Sequence, residues 1–155
     1  PALVDAVVDR LRARTGVPLE RANVFVAGGG TSGLASVVGA IVSPGDEVLI
    51  LAPHWPLIEG HVRMAGGVPV DVPFFGVAES AETAAAIVEG ALTPRTVALY
   101  VNTPSNPTGR VVPRAWLEAR GLVSEAGKGR PCRGWTAHVP QWCCPDHSRW
   151  SGHPP

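Results

Sequence analysis

Two periodicities alternate along the first 125 residues. Short apolar runs read as strands: Asn23-Val-Phe-Val-Ala27, Glu47-Val-Leu-Ile-Leu51, Val68-Pro-Val-Asp-Val72 and Val97-Ala-Leu-Tyr-Val101. Between them, apolar residues recur three and four apart, the spacing of one helix face. Leu3, Val7, Val8 and Leu11 predict a first helix closed by Gly16, and Leu34, Val37, Val38 and Ile41 a second over about 31–42. Leu57 to Ala65 predicts a third, stopped by Gly66-Gly67, and Ala78 to Ala91 a fourth with Ile87 and Val88 inward. Pro113 opens a last helix through about Ala126, with Trp116, Leu117 and Val123 inward. Ser43-Pro-Gly-Asp46 and Thr93-Pro-Arg-Thr96 are turns by composition. Pro69 cannot donate to a ladder and pushes its strand to a sheet edge. Strands alternating with helices imply right-handed crossovers, hence an α/β fold: three αβα layers around a mainly parallel sheet.

In such a sheet, ligands bind beyond the carboxyl ends of the strands, which makes three loops worth reading closely. Gly28-Gly-Gly30-Thr-Ser-Gly33 joins the first predicted strand to the second helix. Free N–H groups at a helix start form an anion site, and glycines let a phosphate approach the main chain. The plainer reading makes Thr31 an N-cap behind flexible glycines. The same letters match a dinucleotide fingerprint, which needs an acid at the carboxyl end of the next strand. Asp46 and Glu47 lie at its amino end instead, so a Rossmann-like nucleotide-binding domain stands as the alternative. A nucleophile elbow lacks its second glycine, and a P-loop lacks its lysine.

The second strand runs into Pro53-His-Trp-Pro56. Trp55 is either a packing residue or a plate on which a flat ring could stack; His54 is a weaker candidate, and His61 reads as a surface residue. The last strand runs into Asn102-Thr-Pro-Ser-Asn-Pro-Thr-Gly109, a proline-stiffened loop that carries two amide side chains. Pro and Gly there either only shape a turn or hold those amides toward a ligand.

Composition narrows the field. Of 155 residues, 13 are Lys or Arg and 13 are Asp or Glu, so charge argues for neither nucleic acid nor an acidic tail. The Pro1 end has no signal-peptide pattern, and no apolar stretch approaches the roughly 20 residues of a membrane span. A cytoplasmic location without membrane association is the expectation. From residue 126 the chain changes character: the tail holds all three Cys, three of the five Trp and a single branched aliphatic residue, Val139. Cys132, His138, Cys143, Cys144 and His147 are zinc-ligand types without zinc-ligand spacing, so no metal site is expected. Three Cys without a signal sequence argue against a disulfide module. A shifted reading frame in a GC-rich gene would give this composition, so residues 127–155 are expected to be an irregular or disordered tail.

Ala27-Gly-Gly-Gly-Thr-Ser-Gly-Leu34, Gly45-Asp-Glu-Val-Leu-Ile-Leu-Ala-Pro-His-Trp55, Ala65-Gly-Gly-Val68 and Asn102 to Gly109 resemble, in order and spacing, the large domain of class I/II aminotransferases. Those enzymes depend on pyridoxal 5'-phosphate (PLP). The resemblance covers about residues 1–126 and implies a partial large domain of the PLP-dependent transferase fold. By it, Gly30, Thr31 and Ser32 would cup the cofactor phosphate, Trp55 would stack on the pyridine ring and Asn106 would hydrogen-bond the phenolic oxygen. Asn102 would be a neighbour, and Tyr100 points either into the sheet or toward the site. The implied reaction is ping-pong amino-group transfer from an amino acid to a 2-oxo acid through Schiff bases, in a homodimer. The pattern then breaks. No apolar strand with an Asp for the pyridine nitrogen follows Gly127. The single lysine, Lys128, lacks the context of the Schiff-base lysine, and the substrate-binding arginine and the preceding small-domain segment have no counterpart. A fragment without a catalytic residue, inactive alone, is therefore expected.

Overall fold

A computed structural model describes residues 2–118. Helix α1 (Ala2–Thr15) is followed by Gly16 at φ 68°, a left-handed stop that glycine adopts freely. After a short 3-10 turn come α2 (Gly30–Ile41), β1 (Glu47–Ala52), α3 (Leu57–Met64), β2 (Val68–Pro73), α4 (Ala81–Ala91), β3 (Thr96–Tyr100) and α5 (Arg114–Glu118). The sheet order is β2-β1-β3, with both pairings parallel. Pro69 sits on an edge strand, as its missing N–H requires.

Strand β1 is central, and its side chains alternate between two cores. Val48 and Ile50 join Ala98 and Tyr100 of β3 against Val38 and Val42 from α2 and its C-cap, and against Ile58 and Val62 of α3. Leu49 and Leu51 face the other way, onto Val72, Phe74, Ala84, Val88 and Val112, with Trp116 and Leu117 packed alongside. Burial on both faces explains why β1 is an unbroken apolar run. Helices therefore cover both faces, which is the αβα layering the pattern predicts. Tyr100 points into the α2/α3 core, and burial pushes its hydroxyl pKa up.

The polar end of β1 is held as firmly. Glu47 is buried, accepts from the Thr93 hydroxyl at 2.5 Å and pairs with Arg95. The Thr93 hydroxyl first, and Arg95 after it, hold its carboxyl below the usual carboxylate range. Helix α4 begins at Ser80 with reciprocal bonds: the Thr83 N–H donates to the Ser80 hydroxyl at 3.2 Å, and the Ser80 N–H donates to the Thr83 hydroxyl at 2.9 Å. That box places the start three residues later than the alanine pattern predicts, leaving Ala78 buried in the preceding turn.

Three further expectations need correction. Asn23–Ala27 forms no strand among the described residues: Asn23 ends the 3-10 turn, and Val24 is extended without a ladder partner. An apolar run becomes a strand only where a neighbour receives its hydrogen bonds, and Phe25 stands 78% exposed. Val37 lies on the outer side of α2, and Leu3 on the outer side of α1, because each helix buries a narrower stripe than its apolar residues mark out. The predicted course of the last helix to Ala126, its inward Val123, and the tail from residue 127 lie outside the described residues. No helix among the described residues is long and apolar enough to cross a membrane.

Candidate functional site at the carboxyl rim of the sheet

The topology brings the three loops to one end of the sheet. Strands β1 and β3 are parallel neighbours, so the Pro53–Pro56 loop and the Asn102–Gly109 loop leave from the same rim. Helix α2 enters β1 through the tight turn Ser43–Asp46, closed by the Asp46 N–H donating to the Ser43 carbonyl at 3.0 Å. The helix therefore runs back antiparallel to β1 on the α3 face. Twelve residues of helix and six of strand are both close to 20 Å long, so the start of α2 reaches the level of the carboxyl rim.

At that start the N-cap is Gly29, not Thr31. Its φ of 119° is a conformation that glycine adopts without penalty. No side chain among the described residues caps the helix, so the first-turn N–H groups carry the partial positive charge of an open helix end. Gly30, Thr31 and Ser32 occupy that first turn and are exposed. The sequence reading of Thr31 as a mere cap is thus replaced by a hydroxyl standing beside free donors.

Trp55 is half-buried, with its ring set edge-on to the His61 imidazole (centroids 6.2 Å, planes 61° apart). His61 is correspondingly not a surface residue: it is half-buried, and its Nε2 is buried without a partner among the described residues. His54 is more deeply placed still, its side chain 7% exposed and its Nε2 2.9 Å from Asp71 Oδ1. In the third loop, Asn102 shapes the backbone. In the orientation that satisfies both ends of its amide, it accepts from the Asn106 N–H at 2.9 Å and donates to the Pro104 carbonyl at 3.3 Å. The Ser105 N–H donates to the Arg110 carbonyl at 2.8 Å and the Gly109 N–H to the Ser105 carbonyl at 2.7 Å, closing the loop. These bonds leave the Asn106 side chain exposed. The Ala52–Pro53, Thr103–Pro104 and Asn106–Pro107 peptides are cis. The arrangement offers an anion-binding helix start, an aromatic face and an amide, each on an element tied to the sheet.

The family described as aminotransferase class I and II matches residues 1–123. A probable aspartate/prephenate aminotransferase of Thermus aquaticus is 43% identical over 122 residues, covering 77% of this chain and 31% of that protein. The aspartate/prephenate aminotransferase of Thermus thermophilus is 41% identical over the same length, with the same coverage. Among solved structures, the Thermus thermophilus aspartate aminotransferase with maleate superposes with a TM-score of 0.67 at 40% identity, over 76% of this chain and 30% of that one. This chain spans about a third of the length of these relatives. On the matched residues and the shared fold, the chain belongs to the class I and II aminotransferase family.

Proposed function

We propose that this chain forms the cofactor-holding rim of a PLP-dependent aminotransferase. The observation that carries the reading is the uncapped start of α2, with Thr31 and Ser32 in its first turn, at the rim from which the Trp55 and Asn106 loops depart. The donor set suits the cofactor. First-turn N–H groups and the two hydroxyls would hold the phosphate, the Trp55 indole would lie against the pyridine ring, and the Asn106 amide would donate to the phenolic oxygen. When bound, PLP supplies the electron sink for chemistry at the α-carbon of an amino acid. The role of these side chains is to bind and orient that ring and to keep water from its covered face. Amino-group transfer between an amino acid and a 2-oxo acid is the reaction proposed, with aspartate the amino acid that the relatives' names suggest. Homodimer assembly is part of the same proposal, and sedimentation of the full chain tests it. The sequence has one lysine, Lys128, outside the described residues, so the 155 residues alone are expected to bind cofactor without turnover.

Pyridoxamine 5'-phosphate has no aldehyde and does not label amines, which makes it the suitable probe. Titrated into the chain, it should quench tryptophan fluorescence, and Trp55→Leu should remove that quenching. No quenching by pyridoxamine 5'-phosphate, or quenching that Trp55→Leu leaves unchanged, would overturn the proposal.

A further inference from the structure

Behind the Trp55 loop, three side chains from three elements converge. His54 comes from the loop after β1, Glu59 from the first turn of α3 and Asp71 from edge strand β2. The register pairs Ile50 with Asp71 and Ala52 with Pro73, which places Asp71 beside the end of β1. Val72 turns to the α4 core, so its neighbour Asp71 turns to the α3 side. One ligand atom from each of the three residues can be chosen so that all lie within 4.8 Å of one another.

The imidazole is oriented by its other nitrogen. Nδ1 lies 3.2 Å from the Trp55 carbonyl oxygen, which can only accept, so a proton on Nδ1 has a partner there. Nε2 is then directed at Asp71 Oδ1, 2.9 Å away, with Glu59 Oε1 at 3.7 Å. With the ring proton on Nδ1, Nε2 offers its lone pair to a metal ion standing between it and the two carboxylates; with the proton on Nε2, the ring donates to Asp71 instead. Arg63 pairs with Glu59 Oε2 at 3.3 Å, which leaves Oε1 for His54.

We propose that His54, Glu59 and Asp71 form a three-ligand site for a divalent zinc-type ion, with water completing the coordination. Nitrogen and oxygen ligands about 2.0–2.1 Å from zinc in a tetrahedron lie about 3.3 Å apart. The two separations from His54 Nε2, 2.9 and 3.7 Å, bracket that edge, and with the three chosen ligand atoms within 4.8 Å of one another the ion would draw the two carboxylates together. An imidazole ligand selects zinc-type ions over magnesium or calcium. The backbone carbonyl on Nδ1 is the outer-shell partner that fixes a ligating histidine. Asp71 is 59% exposed, which provides an entry path. The ion would tie the Trp55 loop to α3 and to the sheet edge.

The test uses the full chain with Cys132, Cys143 and Cys144 alkylated, so that thiols cannot bind metal. Calorimetric titration with Zn2+ alone should show one equivalent bound, and Mg2+ at the same concentration none. His54→Ala and, separately, Asp71→Ala should each weaken Zn2+ binding at least tenfold. Asp71 is an exposed edge residue whose loss leaves both cores intact, so that variant reports on binding even where His54→Ala disturbs the loop. Co2+ should give the visible absorption of a four-coordinate site in the wild type and lose it in Asp71→Ala. Absence of Zn2+ binding by the alkylated wild type would overturn the proposal. So would binding as tight as the wild type's in both variants, which would assign the ion to other ligands of the chain.

Discussion

Gly67 joins α3 to β2 and is wedged against the turn that joins α2 to β1. Its N–H donates to the Val62 carbonyl at 2.9 Å, while the Val68 N–H donates to the Asp46 carbonyl at 2.8 Å. A Cβ added at Gly67 would stand 2.5 Å from Val42 Cγ1, 3.0 Å from Val62 Cγ1 and 3.2 Å from the Asp46 carbonyl oxygen. Val42 and Val62 are both core residues, so neither can swing into solvent. Gly67→Ala therefore overpacks the α2/α3 core, and such insertions cost about 1–3 kcal/mol. With a urea m-value of about 2 kcal/mol/M, the unfolding midpoint should fall by about 1 M. Far-UV circular dichroism in urea reads the midpoint. Gly60→Ala is the control: it lies mid-helix in α3 with nothing among the described residues within 4 Å of its would-be Cβ, and it should gain about 0.5–1 kcal/mol. Adding Val42→Ala to Gly67→Ala removes the clashing methyl, so the double variant should be more stable than the sum of its parts by about 1 kcal/mol. A Gly67→Ala chain as stable as the wild type, or no coupling to Val42, would refute the close approach of the two connections.

Two other perturbations have defined signs. Glu47 has a folded pKa below its unfolded value, so it contributes stability above the ordinary glutamate pKa that is lost as pH falls through the folded one. The urea midpoint of the wild type should therefore drop more steeply than that of Glu47→Gln on going from pH 5 to pH 3; parallel curves would contradict the Thr93 and Arg95 contacts. Ser80→Ala removes the hydroxyl that caps α4 and should cost about 1 kcal/mol in urea unfolding, whereas Ser80→Asp should recover most of it.

Elements whose determinants are local were legible in the chain. Strand β1 declared itself because a central parallel strand is buried on both faces, and Gly16 and Gly66-Gly67 marked helix ends by backbone chemistry. Asn23–Ala27 misled because strand formation depends on a partner that the run itself does not encode. Val37 misled because apolar periodicity marks a wider stripe than α2 buries. At the rim, the carboxyl ends of β1 and β3 were readable, and so were the loops after them that carry Trp55 and Asn106, whereas the glycine segment was read behind a strand that Asn23–Ala27 does not form. The His54–Glu59–Asp71 cluster was not, because it exists only through the β1/β2 register. His61 was misread for the same kind of reason: only the packing of α3 against the preceding loop sets its ring against Trp55.

The most direct test of the central claim compares pyridoxamine 5'-phosphate with pyridoxamine, which differs only by the phosphate. Binding is read by tryptophan fluorescence in the wild type and in a Thr31→Ala/Ser32→Ala double variant. A phosphate held at the start of α2 should make the phosphorylated ligand at least about a hundredfold tighter in the wild type, and loss of two charge-assisted hydrogen bonds, about 1.5–3 kcal/mol each, should remove most of that ratio. Equal affinity for the two ligands, or a ratio untouched by the double variant, would contradict the assignment.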